Sequence, residues 1–232
     1  MLLLLGWMGC SAPSMAPVAS TAPEVQALVS STVVEVIVGT PDPQQAIVLG
    51  LHGRGAHPSG FSGVLDGASG NYKALLPLAP TRQGKGGTWF GGSLAGDPVL
   101  YGRGIAEQAA SLAAWIQQES PNGKAVVFGF SQGGMLAMAL AAYHPEQVQG
   151  AIAMGGMWPD VTPPKAGPRP PLRILHGEAD PVVSAAGAIS AALRFEEAGY
   201  PTELTLYPGV VHTVPSEMRS ALHKAIEDSL DR

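Results

Sequence analysis

"VVFGFSQGGMLAMALAAY", Val126 to Tyr143, changes character halfway along. Val126, Val127 and Phe128 are strand formers. From Met135 onward the residues are mostly Ala, Leu and Met, which favour helix. Between the two halves stand Gly129, Phe130, Ser131, Gln132 and Gly133, so a single hydroxyl is set among glycines at a strand-to-helix junction. The spacing fits G-x-S-x-G, a turn so sharp that its serine is strained and its hydroxyl is thrust outward. The positions two before and two after the serine come close together, and a side chain at either would clash. The helix beyond aims its first amides at the same spot, where developing negative charge is favoured. A Gly-rich turn whose serine merely caps the helix is the competing reading.

The same alternation extends outward in both directions. Thr32–Val38, Ala46–Gly53 and Ala74–Pro80 read as strands, and Gly102–Gln118 as a helix, with Ile105, Ala109, Leu112 and Ile116 at helical spacing. After the elbow, Val148–Gly156 and Pro171–Gly177 read as strands, Ala186–Gly199 as a helix and Thr202–Gly209 as a strand. The final helix, from Ser216, opens with a serine cap. Continuous apolar strands alternating with helices predict an α/β protein with a mostly parallel central sheet and helices on both faces. Ligands of such sheets bind beyond the carboxyl ends of the strands.

A serine hydroxyl needs a base, and the base needs an acid to orient it, in the chain order serine, acid, histidine for this kind of elbow. "ILHGEADPVV" puts Asp180 just past a strand, and "LYPGVVHTV" puts His212 just past the next. The expected triad is therefore Ser131, Asp180 and His212. Asp160 and Glu178 compete as acids; His176 reads as structural, His144 as a surface cap and His223 as solvent-facing. Two backbone N–H groups are expected to hold the oxyanion: Gln132, directly after the serine, and Arg54, in the Gly-rich loop "LHGRG". His52 and His57 lack a third ligand at metal-binding spacing, so no metal is expected.

"LHGRG", "GFSQGG", "HGEAD" and "GVVHTV", in that order, resemble the phospholipase/carboxylesterase family of α/β-hydrolases, which includes acyl-protein thioesterases. The resemblance covers roughly residues 45–227. It implies the Ser131–Asp180–His212 triad, with Arg54 and Gln132 as amide donors, no cofactor, and a small ester or thioester as substrate. Two pocket loops depart from the pattern. Ala56 and His57 stand where relatives often have an acidic residue, and Trp89 is followed by Phe90 and Gly91 rather than Asp.

The expected reaction is acyl transfer to water through an acyl-enzyme on Ser131, with rate falling as His212 takes up a proton. The loops Thr81–Ser93 and Gly156–Pro171 shape the pocket in this reading. Trp89 and Trp158 offer apolar walls for an acyl or aryl group, or else packing for the core. Neither loop reads as a long amphipathic lid, which favours a modest soluble ester over bulk lipid. A dienelactone-hydrolase-like enzyme, a depolymerase or a peptidase would keep the same triad. A surface-tethered binding protein without catalysis is the alternative of another class.

Hydrophobic residues make up 46% of the 232 and charged residues 13%, which fits a globular chain rather than a disordered one. A net charge of −5 argues against a nucleic-acid partner. The single cysteine, Cys10, ends the run "MLLLLGWMGC" and is followed by a Ser/Ala/Pro-rich stretch. That arrangement looks like a bacterial lipoprotein signal over residues 1–10, a linker over 11–28 and a catalytic domain over 29–232. Membrane contact would then run only through the lipid on Cys10, in an extracytoplasmic protein anchored to the cell envelope. Trp7, and the lack of Lys or Arg before the apolar run, depart from that pattern, and an ordinary N-terminus on a cytoplasmic protein is the alternative.

Overall fold

The computed structural model describes residues 32–92, 98–159, 161–165 and 167–232, so Cys10, the proposed linker and Asp160 lie outside the described residues. Among the described residues nine strands are present: β1 (Val33–Val38), β2 (Ala46–Leu51), β3 (Tyr72–Pro77), β4 (Thr81–Gln83), β5 (Gly86–Thr88), β6 (Ala125–Phe130), β7 (Val148–Met154), β8 (Leu172–Gly177) and β9 (Thr202–Tyr207). Seven form one sheet in the order β1-β3-β2-β6-β7-β8-β9. β1 runs antiparallel to β3, and the remaining pairings are parallel.

The helices are α1 (Pro58–Phe61), α2 (Pro98–Glu119), α3 (Gln132–Tyr143), α4 (Ala185–Glu197) and α5 (Ser216–Leu230). They cover both faces of the sheet, which is why its central strands read as unbroken apolar runs. Alternate side chains divide between two cores. Val127 of β6 meets Leu112 and Ile116 of α2 and Leu136 of α3 on one face. Val126 and Phe128 meet Leu222 and Ile226 of α5 on the other. α3 is buried from Gln132 through Ala142, and its alanines and glycines let neighbours approach from all sides.

Three expectations need correction. The stretch after Pro80 was expected to be an open loop; it contains the β4–β5 hairpin. Gly86 and Gly87 face backbone rather than solvent: a Cβ on Gly86 would lie 2.0 Å from the Ala56 carbonyl oxygen, and one on Gly87 2.5 Å from the Ala79 carbonyl oxygen. Ser216 does not cap α5, because Pro215 holds the cap position and the Ser216 hydroxyl bonds Glu217. His223 is half-buried, with Nε2 2.8 Å from the Val64 carbonyl oxygen. Such a bond joins α5 to the turn after α1 and is invisible to helical periodicity.

Candidate active site

The elbow sits between β6 and α3. Ser131 has φ 57° and ψ −115°, the positive-φ non-glycine residue among those described. Its N–H donates to the Met154 carbonyl at 2.9 Å, which anchors the strained residue to β7. A Cβ on Gly129 would come 2.3 Å from the Gly133 carbonyl group, so the two flanking positions do close on each other. A Cβ on Gly133 would lie 1.9 Å from the Leu51 carbonyl oxygen. The second glycine is thus also required by β2, a contact that the spacing alone does not reveal.

Asp180 and His212 come from loops past β8 and β9, at the same rim of the sheet. His212 Nε2 lies 3.0 Å from Ser131 Oγ, and His212 Nδ1 lies 2.6 Å from Asp180 Oδ2. With Nδ1 donating to the carboxylate, Nε2 is left to accept from the serine hydroxyl. The Phe130 ring packs on the imidazole at 4.6 Å between centroids. Asp180 is buried, and its other oxygen accepts from the Val182 and Val183 amides at 2.8 and 2.9 Å. Burial acts to raise its pKa. The Val183 amide, the His212 ring and the Val182 amide together outweigh burial and hold the carboxyl below its ordinary value. His176, fully buried, bonds the Val183 carbonyl through Nε2 at 2.8 Å, with that nitrogen 3.5 Å from Asp180. It braces the loop that carries Asp180.

The loop after β2 lies directly against the elbow: a Cβ on Gly53 would be 3.4 Å from that of Ser131. Arg54 and Gln132 both line the cavity above the serine. The Arg54 guanidinium turns aside and donates to the Gly92 carbonyl. His52 is fully buried, its Nε2 accepting from the Ala79 amide at 3.0 Å and its Nδ1 2.7 Å from the Gly53 carbonyl. Burial keeps it uncharged by lowering its pKa. Both ring nitrogens are therefore engaged, as expected of a residue that shapes a loop. Among the described residues, no group of three or more His, Cys, Asp or Glu is placed to hold a metal ion.

The Gln132 side chain has a role that the motif did not suggest. Its Nε2 donates to the Phe90 carbonyl at 3.0 Å, and its Oε1 accepts from the Thr88 hydroxyl at 3.0 Å and the Trp89 amide at 3.2 Å. This buried carboxamide ties the segment after β5 to the elbow. The available signal was a lone polar residue opening an otherwise apolar helix, since a buried amide needs partners.

Trp89 and Trp158 do not form the walls of the cavity. Trp89 is 3% exposed, its indole N–H donating to the His52 carbonyl at 2.8 Å. Trp158 is 4% exposed, edge-on to Phe195 and tilted against Tyr143, with its N–H donating to the Val161 carbonyl. Each indole is drawn into the core because it buries a large apolar area while finding a partner for its one donor. The walls are instead Phe61, Tyr101, Phe130, Met135, Val182 and Val183 around a cavity of about 910 Å³. Phe61 and Tyr101 reach it from α1 and α2, too distant in sequence from the triad for spacing to reveal.

A fold with this strand order and a strained serine elbow at its rim defines a class, and the comparisons specify it. The phospholipase/carboxylesterase family model matches residues 32–230, and the chain belongs to that family of α/β-hydrolases. It is 27% identical over 140 residues to acyl-protein thioesterase 1 of Neurospora crassa, spanning 56% of this chain and 57% of that relative. It is 27% identical over 193 residues to esterase YpfH of Escherichia coli K12, spanning 77% and 81% of the two chains. The crystal structure of esterase PE8 superposes with a TM-score of 0.72 at 21% identity, covering 87% of this chain and 99% of that one. That last likeness concerns the fold.

Proposed function

We propose that the protein is a carboxylic-ester hydrolase that cleaves small to medium acyl esters or thioesters through an acyl-enzyme on Ser131. The observation that carries this reading is the unbroken hydrogen-bonded chain from Ser131 Oγ through His212 to Asp180, at 3.0 and 2.6 Å. His212 Nε2 takes the Ser131 proton as Oγ attacks the substrate carbonyl carbon. The Arg54 and Gln132 amides receive the negative charge that develops on the carbonyl oxygen. The imidazolium then protonates the departing alcohol or thiol. A water, deprotonated by the same nitrogen, releases the acid and restores the serine. Asp180 remains ionised throughout and fixes the imidazole tautomer.

The apolar walls and the cavity of about 910 Å³ favour an acyl chain of short to medium length. No cofactor enters this scheme. The Gly9–Cys10 junction supports a lipid tether as a further part of the proposal. The reaction is tested with 4-nitrophenyl esters and matching thioesters from two to twelve carbons. Turnover is expected to peak in the shorter half, and Ser131→Ala should lower kcat by roughly 10⁴-fold or more. Retention of most activity by that variant would overturn the assignment.

A further inference from the structure

The cavity above Ser131 has a neighbour. A second depression of about 290 Å³ is lined by His57, Leu78, Pro80, Arg82, Lys85 and Gly86, and His57 lines both. The two therefore meet at one side chain. The second depression carries two full positive charges and an imidazole, and the first adds Arg54. Among the described residues, no aspartate or glutamate lines either. In a chain with 18 acidic against 13 basic residues, an acid-free basic rim beside the nucleophile runs against the overall balance.

The backbone that bears the cations is held in place by the fold. Arg82 and Lys85 stand on the β4–β5 hairpin, and two main-chain bonds fix that hairpin to the loop bearing Arg54 and His57. The Gly55 amide donates to the Gly87 carbonyl at 2.8 Å, and the Gly87 amide to the Ala56 carbonyl at 3.0 Å. Gly86 fits only because it lacks a Cβ, so the hairpin lies flush on the loop. Arg82 and Lys85 are exposed and form no ion pair among the described residues. Their charges are available to a ligand. His57 is oriented by its Nδ1 contact to the Ser59 hydroxyl at 2.8 Å.

We infer that this depression is an anion subsite and that the preferred substrates are esters carrying a carboxylate or phosphate at a distance from the scissile bond. The inference rests on the hydrolase reading above. The rim cations attract the anionic end and hold it while the apolar cavity takes the remainder. A neutral ester of the same size gains nothing from the rim.

Two matched pairs test it and locate the anion. The acyl-side pair is 4-nitrophenyl hemiglutarate against 4-nitrophenyl valerate. The leaving-group pair is the butyrate ester of 4-hydroxyphenylacetate against that of its methyl ester. In one of the pairs kcat/KM is expected to favour the anionic member on the order of 10-fold, a preference that shrinks as NaCl rises from about 0.05 to about 0.5 M. The double variant Arg82→Ser/Lys85→Ser is expected to abolish the preference while leaving the neutral ester unchanged, and Lys85→Glu to reverse it. Equal rates within both pairs, or variants that slow neutral and anionic esters alike, would overturn the subsite while leaving the hydrolase standing. Absence of turnover for all four esters would overturn the hydrolase reading, and the subsite with it.

Discussion

At the residue scale the site rests on one carboxylate kept ionised in a buried place. Asp180 accepts two amides on one oxygen and the His212 ring on the other, which compensates for the lost water. Asp180→Asn keeps the shape but favours the wrong imidazole tautomer, and kcat is expected to fall by roughly 10⁴-fold. Asp160→Asn, at the competing acid, is the control and should leave kcat within about threefold. The depressed Asp180 pKa also gives a sign for stability. A carboxyl whose folded pKa is lowered adds stability above its unfolded pKa, and that stability is lost as pH falls through the folded value. The thermal stability of the wild type should therefore weaken below about pH 4, and that of Asp180→Asn should weaken less over the same interval. The juxtaposition of Ser131, His212 and Asp180 was legible in the sequence because each follows a strand end, and strand ends share a rim. The Gln132 side chain was not, since its partners lie more than forty residues away in a segment with no periodic signature.

At the scale of elements, the elbow joins β6 to α3 under two constraints, Gly129 against Gly133 and Gly133 against β2. Gly133→Ala has no room for its methyl group and is expected to cost about 3 kcal/mol, lowering the melting temperature by roughly 10 °C. Gln132→Leu keeps the helix but releases residues 88–90 from the elbow. On the order of a tenfold loss in kcat with little change in KM is expected, since small displacements near the proposed oxyanion donor are costly. The periodicity of α2 and the apolar runs of β2, β6, β7 and β8 made those elements legible to within a few residues. The β4–β5 hairpin was hidden because three-residue strands of Thr, Arg, Gln and Gly carry neither alternation nor strong propensity. Its existence depends on bonds to the loop after β2, which is tertiary information. The tryptophans misled for a related reason: composition identifies an aromatic residue but not which side of its loop faces the core.

At the scale of the whole molecule, the sheet brings three distant loops to one rim, and the family match begins at residue 32, after the Ser/Ala/Pro-rich stretch. Removal of residues 1–28 is expected to leave the melting temperature within about 2 °C and ester turnover unchanged, since the family match begins only at residue 32. If Cys10 carries lipid, the full chain from a bacterial host will partition into the detergent phase on Triton X-114 extraction, and Cys10→Ala will move it to the aqueous phase. Among the described residues, no helix is long and apolar enough to cross a membrane. The most direct test of the chemistry is peptide mapping by mass spectrometry after exposure to a fluorophosphonate. A single adduct on the peptide bearing Ser131, strongly diminished in His212→Ala, is the expected result. An unmodified Ser131, or labelling that persists undiminished without His212, would contradict the hydrolase assignment.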